Sequence, residues 1–147
     1  MGALIVPLSG MVYLDANSII YSVEKHPDYY PLLVPAWQAA KSGNVEVVTS
    51  ELSLMETLVG PLKSGNAALA TAYEHLFLQP QTRLLPITQA ILRRAASLRA
   101  TTKLKTPDAL HAATALEAGC VLFVTNDAGF RGVAGLSLVV LSDLLVP

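Results

Sequence analysis

The segment Val121-Leu-Phe-Val-Thr-Asn-Asp127 constrains the fold more than any other stretch of the chain. An apolar, strand-like run stops there in a polar turn that carries a carboxylate. Met11-Val-Tyr-Leu-Asp15 repeats the pattern near the start, and Thr106-Pro107-Asp108 has the form of a helix start. If the two apolar runs lie side by side and parallel, Asp15 and Asp127 meet at the carboxyl edge of one sheet. Open α/β sheets bind ligands in that crevice. Carboxylates gathered there suit a hard divalent cation better than they suit a core.

Helix and strand signals alternate along the chain. Met11 to Leu14 reads as a buried strand, followed by a short helix through Ile19-Ile20-Tyr21 that His26-Pro27-Asp28 breaks. A second helix is expected from Val34 to Ala40, with Pro35 in its first turn and Gly43 ending it. Val45 to Thr49 is the second strand, after which Ser50 is expected to cap a helix through Leu58, stopped by Gly60-Pro61. An Ala- and Leu-rich helix follows Gly65-Asn66 as far as Leu78. Arg83 to Ile87 is a third strand, moved towards an edge by Pro86. Thr88 caps a helix to Ala100, Thr101 to Lys105 is a polar loop, and Thr106-Pro107 opens a helix ending at Gly119. Val121 to Thr125 and Leu138 to Leu141 complete five strands.

Strands alternating with helices predict a parallel α/β sheet with helices on both faces. The strands are apolar without clean alternation, as doubly covered strands are. No repeat or linker interrupts the pattern, so one domain is expected over 11–147, with 1–10 as an N-terminal extension.

Composition excludes little beyond disorder, because 52% of residues are hydrophobic and only 14% charged. A net charge of −1 points neither to nucleic acid nor to a membrane. Its distribution is less even. From Gln81 to Pro107 there are six basic residues (Arg83, Arg93, Arg94, Arg99, Lys103, Lys105) and no acid. Such a run is either a patch for a phosphate backbone or a solvated helix face. Cys120 sits in an apolar run as a small buried residue, and one cysteine permits no internal disulfide, compatible with a cytoplasmic location. Met1 to Gly10 lacks a basic start and is too short to span a bilayer, so neither a signal peptide nor a membrane segment is expected.

Geometry then constrains the acids. Only Gly119 and Cys120 separate the 106–119 helix from the fourth strand, so the helix runs antiparallel to that strand. Asp108, in its first turn, lies at the carboxyl edge. The helix after the second strand starts at the same edge, with Glu56 about two turns in. Asp15, Glu56, Asp108 and Asp127 can therefore converge from four segments. Clustering like charges is costly unless a cation or protons intervene.

Each acid also has a plainer reading. Asp15 can cap the next helix in an Asx turn. Glu56 can belong to a capping box begun by Ser53, and Glu51 is a rival for its place. Leu52, Leu58 and Val59 favour Glu56 by setting it beside the buried stripe, whereas Glu51 suits the helix dipole. Asp108 is an ordinary acid near a helix start. Asp127 carries the plainest functional signal, since the chain turns there with the carboxylate directed to the crevice. Asn17 and Thr125 are placed to orient a carboxylate or a ligand water. Asn126 serves the turn, Phe130 packs, and His111, one turn after Asp108, either touches a phosphate or is a partly buried polar group.

Four blocks carry a resemblance: Val-Tyr-Leu-Asp15-Ala-Asn17-Ser, Leu52-Ser-Leu-Met-Glu56-Thr-Leu-Val, Thr-Pro-Asp108-Ala-Leu-His-Ala-Ala, and Thr125-Asn126-Asp127-Ala-Gly-Phe130. In this order and spacing they resemble the PIN-domain nucleases, in particular the VapC-type toxins of bacterial toxin–antitoxin pairs. Ala16 departs mildly from the Thr or Ser frequent at that place. The resemblance implies a three-layer α/β/α fold with strand order 3-2-1-4-5. It also implies one or two Mg²⁺ or Mn²⁺ ions held by the acids, and endonucleolytic cleavage of RNA to 5′-phosphate and 3′-hydroxyl ends. A homodimer and an antitoxin that blocks the site complete the expectation. Arg93, Arg94, Lys103 and Lys105 are the candidates for RNA backbone contacts. A nuclease working without an antitoxin and a non-catalytic RNA- or protein-binding PIN module are the alternatives. A dehalogenase-type phosphatase would need a second Asp where Asn17 stands, a receiver domain lacks its phospho-acceptor Asp and Lys, and no Gly-rich phosphate loop is present.

Overall fold

A computed structural model describes residues 2–145; Met1, Val146 and Pro147, which fall within the expected extension and domain, lie outside the described residues. In chain order the elements are β1 (Met11–Leu14), α1 (Ala16–Val23), α2 (Tyr30–Lys41), β2 (Glu46–Ser50), α3 (Leu52–Ser64) and α4 (Ala67–Phe77). They continue with β3 (Thr82–Leu85), α5 (Gln89–Thr101), α6 (Thr106–Ala118), β4 (Leu122–Thr125) and β5 (Leu138–Val140). Short 3₁₀ turns follow β4 and β5 at Ala128–Gly132 and Leu141–Leu145. The strands form one parallel sheet in the order β3-β2-β1-β4-β5, as expected.

Alternate residues of a strand face opposite sides, and in the central strands both sides are buried. Val12 and Leu14 of β1, Val47 of β2 and Val124 of β4 join a core under α1, α2 and α4. Tyr13, Val48 and Phe123 join a second core under α5 and α6. There the Tyr13 ring stacks on Phe123 with centroids 4.9 Å apart and planes 4° from parallel. Such a pair adds about 0.5–1.5 kcal/mol beyond its buried area. Ala109, Ala112, Ala113 and Ala115 are buried along α6, and these small side chains let the helix lie close to the sheet.

Several element boundaries differ from the sequence expectation. α2 begins at Tyr30 rather than Val34, with Pro31 in its first turn and Pro35 inside it. α3 runs through Gly60 and Pro61 to Ser64. Pro61 is buried there, and its carbonyl accepts from the N–H groups of Gly65 and Asn66. The true stop is Gly65, whose φ of 70° suits a residue without Cβ. Ser50 ends β2 and Glu51 holds the cap position of α3, yet the Ser50 hydroxyl still accepts from Leu52 N–H, the first of the helix, at 3.0 Å. Lys105 holds the cap position of α6; Thr106 is the first helical residue, and its hydroxyl accepts from Arg99 Nη1 at 2.9 Å. α5 extends to Thr101, and β3 begins at Thr82 and ends before Pro86 on the sheet edge. Leu4, in the expected extension, is buried, and Gly2 N–H donates to Leu144 O at 2.8 Å. Among the described residues no helix is long and apolar enough to cross a membrane.

Candidate active site

The register of β1 and β4 sets Leu14 beside Val124, so Asp15 and Thr125 leave the sheet together. Asp15 is 6% exposed. Its Oδ1 accepts from Ser18 N–H at 3.0 Å, which caps α1, and its Oδ2 accepts from the Thr125 hydroxyl at 2.5 Å. The Asx-cap reading and the site reading of Asp15 thus describe one geometry. Thr125 Oγ in turn accepts from Asp127 N–H at 3.0 Å, so a single hydroxyl ties the acid after β1 to the turn after β4. Burial pushes the Asp15 carboxyl up from its ordinary pKa, while the bonds from Thr125 and Ser18 pull the other way.

Glu56 is held by a different device. Its Oε1 lies 2.6 Å from His111 Nε2, and His111 Nδ1 lies 2.6 Å from the Tyr13 hydroxyl. His111 is 2% exposed. With both ring nitrogens engaged inside the fold it does not offer itself to a phosphate, one of the two roles considered for it. Ser53 bonds Thr49 (Oγ to Oγ, 2.6 Å), so the capping box it could have made with Glu56 is absent. Glu51 is exposed, and Glu56 is the acid of α3 that faces the site.

Asp15, Asn17, Glu56, Asp108 and His111 line one cavity of about 150 Å³, with Ala16 and Ile20 completing its wall. Asp108, half-buried in the first turn of α6, has its pKa raised chiefly by burial and next by the charge of Asp127. Asp15 and Glu56 add to that rise and His111 opposes it. The four acids therefore share one electrostatic neighbourhood. Asp127, however, is exposed and outside the cavity lining, with Oδ1 accepting from Gly129 N–H at 2.8 Å to cap the following turn.

The donor set is all oxygen, with no cysteine and with the one histidine committed, which suits Mg²⁺ or Mn²⁺ rather than zinc. Among the described residues no three His, Cys, Asp or Glu side chains are grouped closely enough to hold an ion between them.

The basic residues are not gathered in one place. Lys103 and Lys105 are exposed just before α6, near the level of Asp108. Arg94 pairs with Glu117 at 3.0 Å, about 14 Å along α6 from Asp108. Arg93 bonds Gln89 within its own helix at 3.3 Å. Arg99 braces the α5–α6 junction through Leu104 O and Thr106. Sequence reasoning missed Tyr13 as a partner of the site; its signal was a phenol in an otherwise apolar strand, which needs a hydrogen-bond partner when buried.

Comparison with known proteins follows the same lines. The family model of the PIN domain matches residues 12–136. No curated protein matches the chain at a significant level. Among solved structures, VapBC2 from Rickettsia felis bound to a DNA fragment from its promoter is similar at 23% identity and TM-score 0.70, covering 88% of this chain and 97% of that chain. A toxin–antitoxin complex from Klebsiella pneumoniae is similar at 23% identity and TM-score 0.64, with the same coverage of 88% and 97%. DNA-bound VapBC from Salmonella typhimurium has 19% identity, TM-score 0.69, and coverage of 88% and 96%. At these identities the likeness is one of fold.

Proposed function

The chain belongs to the PIN-domain family, and from that premise we propose that it is a metal-dependent endoribonuclease, the toxin of a VapC-type toxin–antitoxin pair. The observation that carries this reading is the small cavity where Asp15, Glu56 and Asp108 converge from three elements, with Asp127 close enough to raise the Asp108 pKa. So much like charge held together at a sheet's carboxyl edge is explained by a cation.

Asp15, Glu56, Asp108 and Asp127 would hold one or two Mg²⁺ or Mn²⁺ ions. The chemistry such an ion would supply is a bound water of lowered pKa and neutralisation of charge at the phosphate. Thr125 holds Asp15 in place, and Asn17, exposed on the cavity wall, is a polar contact for a ligand water or for RNA. Lys103 and Lys105 contact the RNA backbone beside the cavity. Arg93 and Arg94 extend that contact only at a distance, and Arg94 would have to leave Glu117.

The neighbours described as toxin–antitoxin complexes support an antitoxin partner. Two apolar surfaces support protein partners, including a second copy of the chain in a homodimer. One is the exposed stripe of Met55, Val59 and Leu62 on α3; the other is a cavity of about 520 Å³ between α1, α2 and α4. A cytoplasmic location agrees with this reading.

The test is cleavage of a structured RNA pool by purified protein in Mg²⁺, Mn²⁺ or EDTA, beside Asp108→Asn and Asp127→Asn. Metal-dependent cutting lost in Asp108→Asn supports the nuclease. Equal cutting by all three proteins points to contamination, and binding without cutting favours the non-catalytic PIN module.

A further inference from the structure

We propose that His111, oriented by Tyr13, is a positioning residue for Glu56: the pair holds the Glu56 carboxylate against the cavity and thereby sets metal affinity and cleavage rate. The inference rests on the metal-dependent reading above and assigns work to two residues outside the four acids.

The direction of each hydrogen bond can be worked out. Ser50 N–H points at the Tyr13 hydroxyl, 3.1 Å away, and an N–H can only donate. The phenolic hydrogen is then free for His111 Nδ1 at 2.6 Å. The Glu56 carboxylate can only accept, so the hydrogen of a neutral imidazole lies on Nε2, directed to Oε1 at 2.6 Å, and Nδ1 accepts from the phenol. A carboxylate on α3 thus selects the tautomer of a histidine on α6, which accepts from a phenol on β1 braced by a backbone amide at the end of β2.

Each part of this relay is fixed by packing. The Tyr13 ring is fully buried and stacked on Phe123, and burial holds its phenol well above the ordinary pKa, so it keeps its proton. His111 sits edge-on to Tyr13 with ring centroids 5.8 Å apart. The three acids of the cavity differ in what restrains them. Asp15 accepts two hydrogen bonds from its own surroundings. Asp108 has a short side chain on a helix start. Glu56 has the longest side chain, is 28% exposed, and its hydrogen bond among the described residues is to His111. Without His111 its carboxylate is free to swing out to solvent.

The experiment is a double-mutant cycle on the full chain, read by Mn²⁺ affinity in calorimetry and by cleavage rate. Removing a hydrogen-bond partner behind a metal site typically costs 10–100-fold in affinity or activity. His111→Leu and Glu56→Gln are each expected to lose that much, and the double variant no more than Glu56→Gln alone. His111→Gln, whose amide can donate from near the Nε2 position, recovers most of the loss, and Tyr13→Phe falls between. The proposal is overturned if His111→Leu lowers the melting temperature but leaves Mn²⁺ affinity intact, or if the two losses multiply. If His111→Leu does not fold, Tyr13→Phe decides, and wild-type affinity in that variant sinks the idea. Failure of the wider reading shows separately, as an Asp108→Asn protein that binds Mn²⁺ and cuts RNA as the wild type does.

Discussion

The two largest contrasts in the molecule are its hollows. The cavity between α1, α2 and α4 holds about 520 Å³, against about 150 Å³ at the carboxyl edge of the sheet. In the larger one the polar groups settle among themselves: Trp37 Nε1 donates to Ser22 Oγ at 2.8 Å, and His75 and Gln79 pair at 3.0 Å. In the smaller one, carboxylates from separate elements face each other with burial raising the pKa of two of them. Room is left wherever helices splay, whereas clustered charge persists only where surrounding structure compels it. The smaller hollow is therefore the better guide to chemistry, and volume alone would have led to the wrong place.

Substitution separates the two most sharply. Asp108→Asn is expected to lower RNA cleavage by at least ~100-fold, the scale of losing a charged transition-state contact. Trp37→Ala should cost roughly 2 kcal/mol of stability through lost packing, with cleavage per folded molecule unchanged. Chemical denaturation and single-turnover assays on both variants would blur the contrast only if Trp37→Ala also stopped cleavage.

Ligand-linked stability comes next. Mg²⁺ at about a hundred times its dissociation constant should stabilise the wild type by about 2.7 kcal/mol. Asp108→Asn should gain little, and Trp37→Ala as much as the wild type. Thermal melts with Mg²⁺ and with EDTA check this.

A smaller effect follows from pH. Asp15 and Asp108 have folded pKa values raised above the ordinary carboxylate value of about 4. Their protonated forms favour the fold, so stability from these groups is fully present below the unfolded pKa. It is lost as pH rises through the raised folded values. Metal-free protein should accordingly gain stability on mild acidification from neutral pH, until other carboxylates protonate. Asp108→Asn should flatten that rise and have the higher melting temperature at pH 7.

The smallest effect concerns the basic residues. Arg94→Ala loses an exposed pair worth less than about 1 kcal/mol and should scarcely change RNA affinity. Lys105→Ala should weaken RNA binding and lower its salt slope by about one. A reversed order would move the RNA path to the far end of α6.

Much of this architecture could be read from residues that act locally. Apolar runs at Met11–Leu14 and Leu122–Thr125, each followed by Asp or Asn-Asp, gave the strands and their edge. The short Gly119-Cys120 link oriented α6 and so placed Asp108. What could not be read depends on partners remote in sequence. Tyr13 and His111 are 98 residues apart and His111 and Glu56 are 55 apart, so no local pattern announces that relay. Asp127 was placed facing the crevice because of its turn, yet its Oδ1 serves that turn itself. Gly60-Pro61 looks like a helix stop in isolation, but burial of Pro61 carries α3 on to Gly65. Thr106 looks like a cap, but α6 takes it in as its first residue and its hydroxyl accepts from Arg99, across the turn from α5.

The strand order also has a consequence in time. β1 precedes β2 and β3 in the chain, yet its neighbour β4 (Leu122–Thr125) is made only after both of them and all six helices. Until Thr125 leaves the ribosome, β1 lacks one flank, and Asp15 lacks the hydroxyl that holds it. Domains complete their folding as their last elements emerge. A part-made chain therefore carries two of the acids on α3 and α6 but no assembled site. On the nuclease reading, cutting begins only once β4 has been made and has docked beside β1.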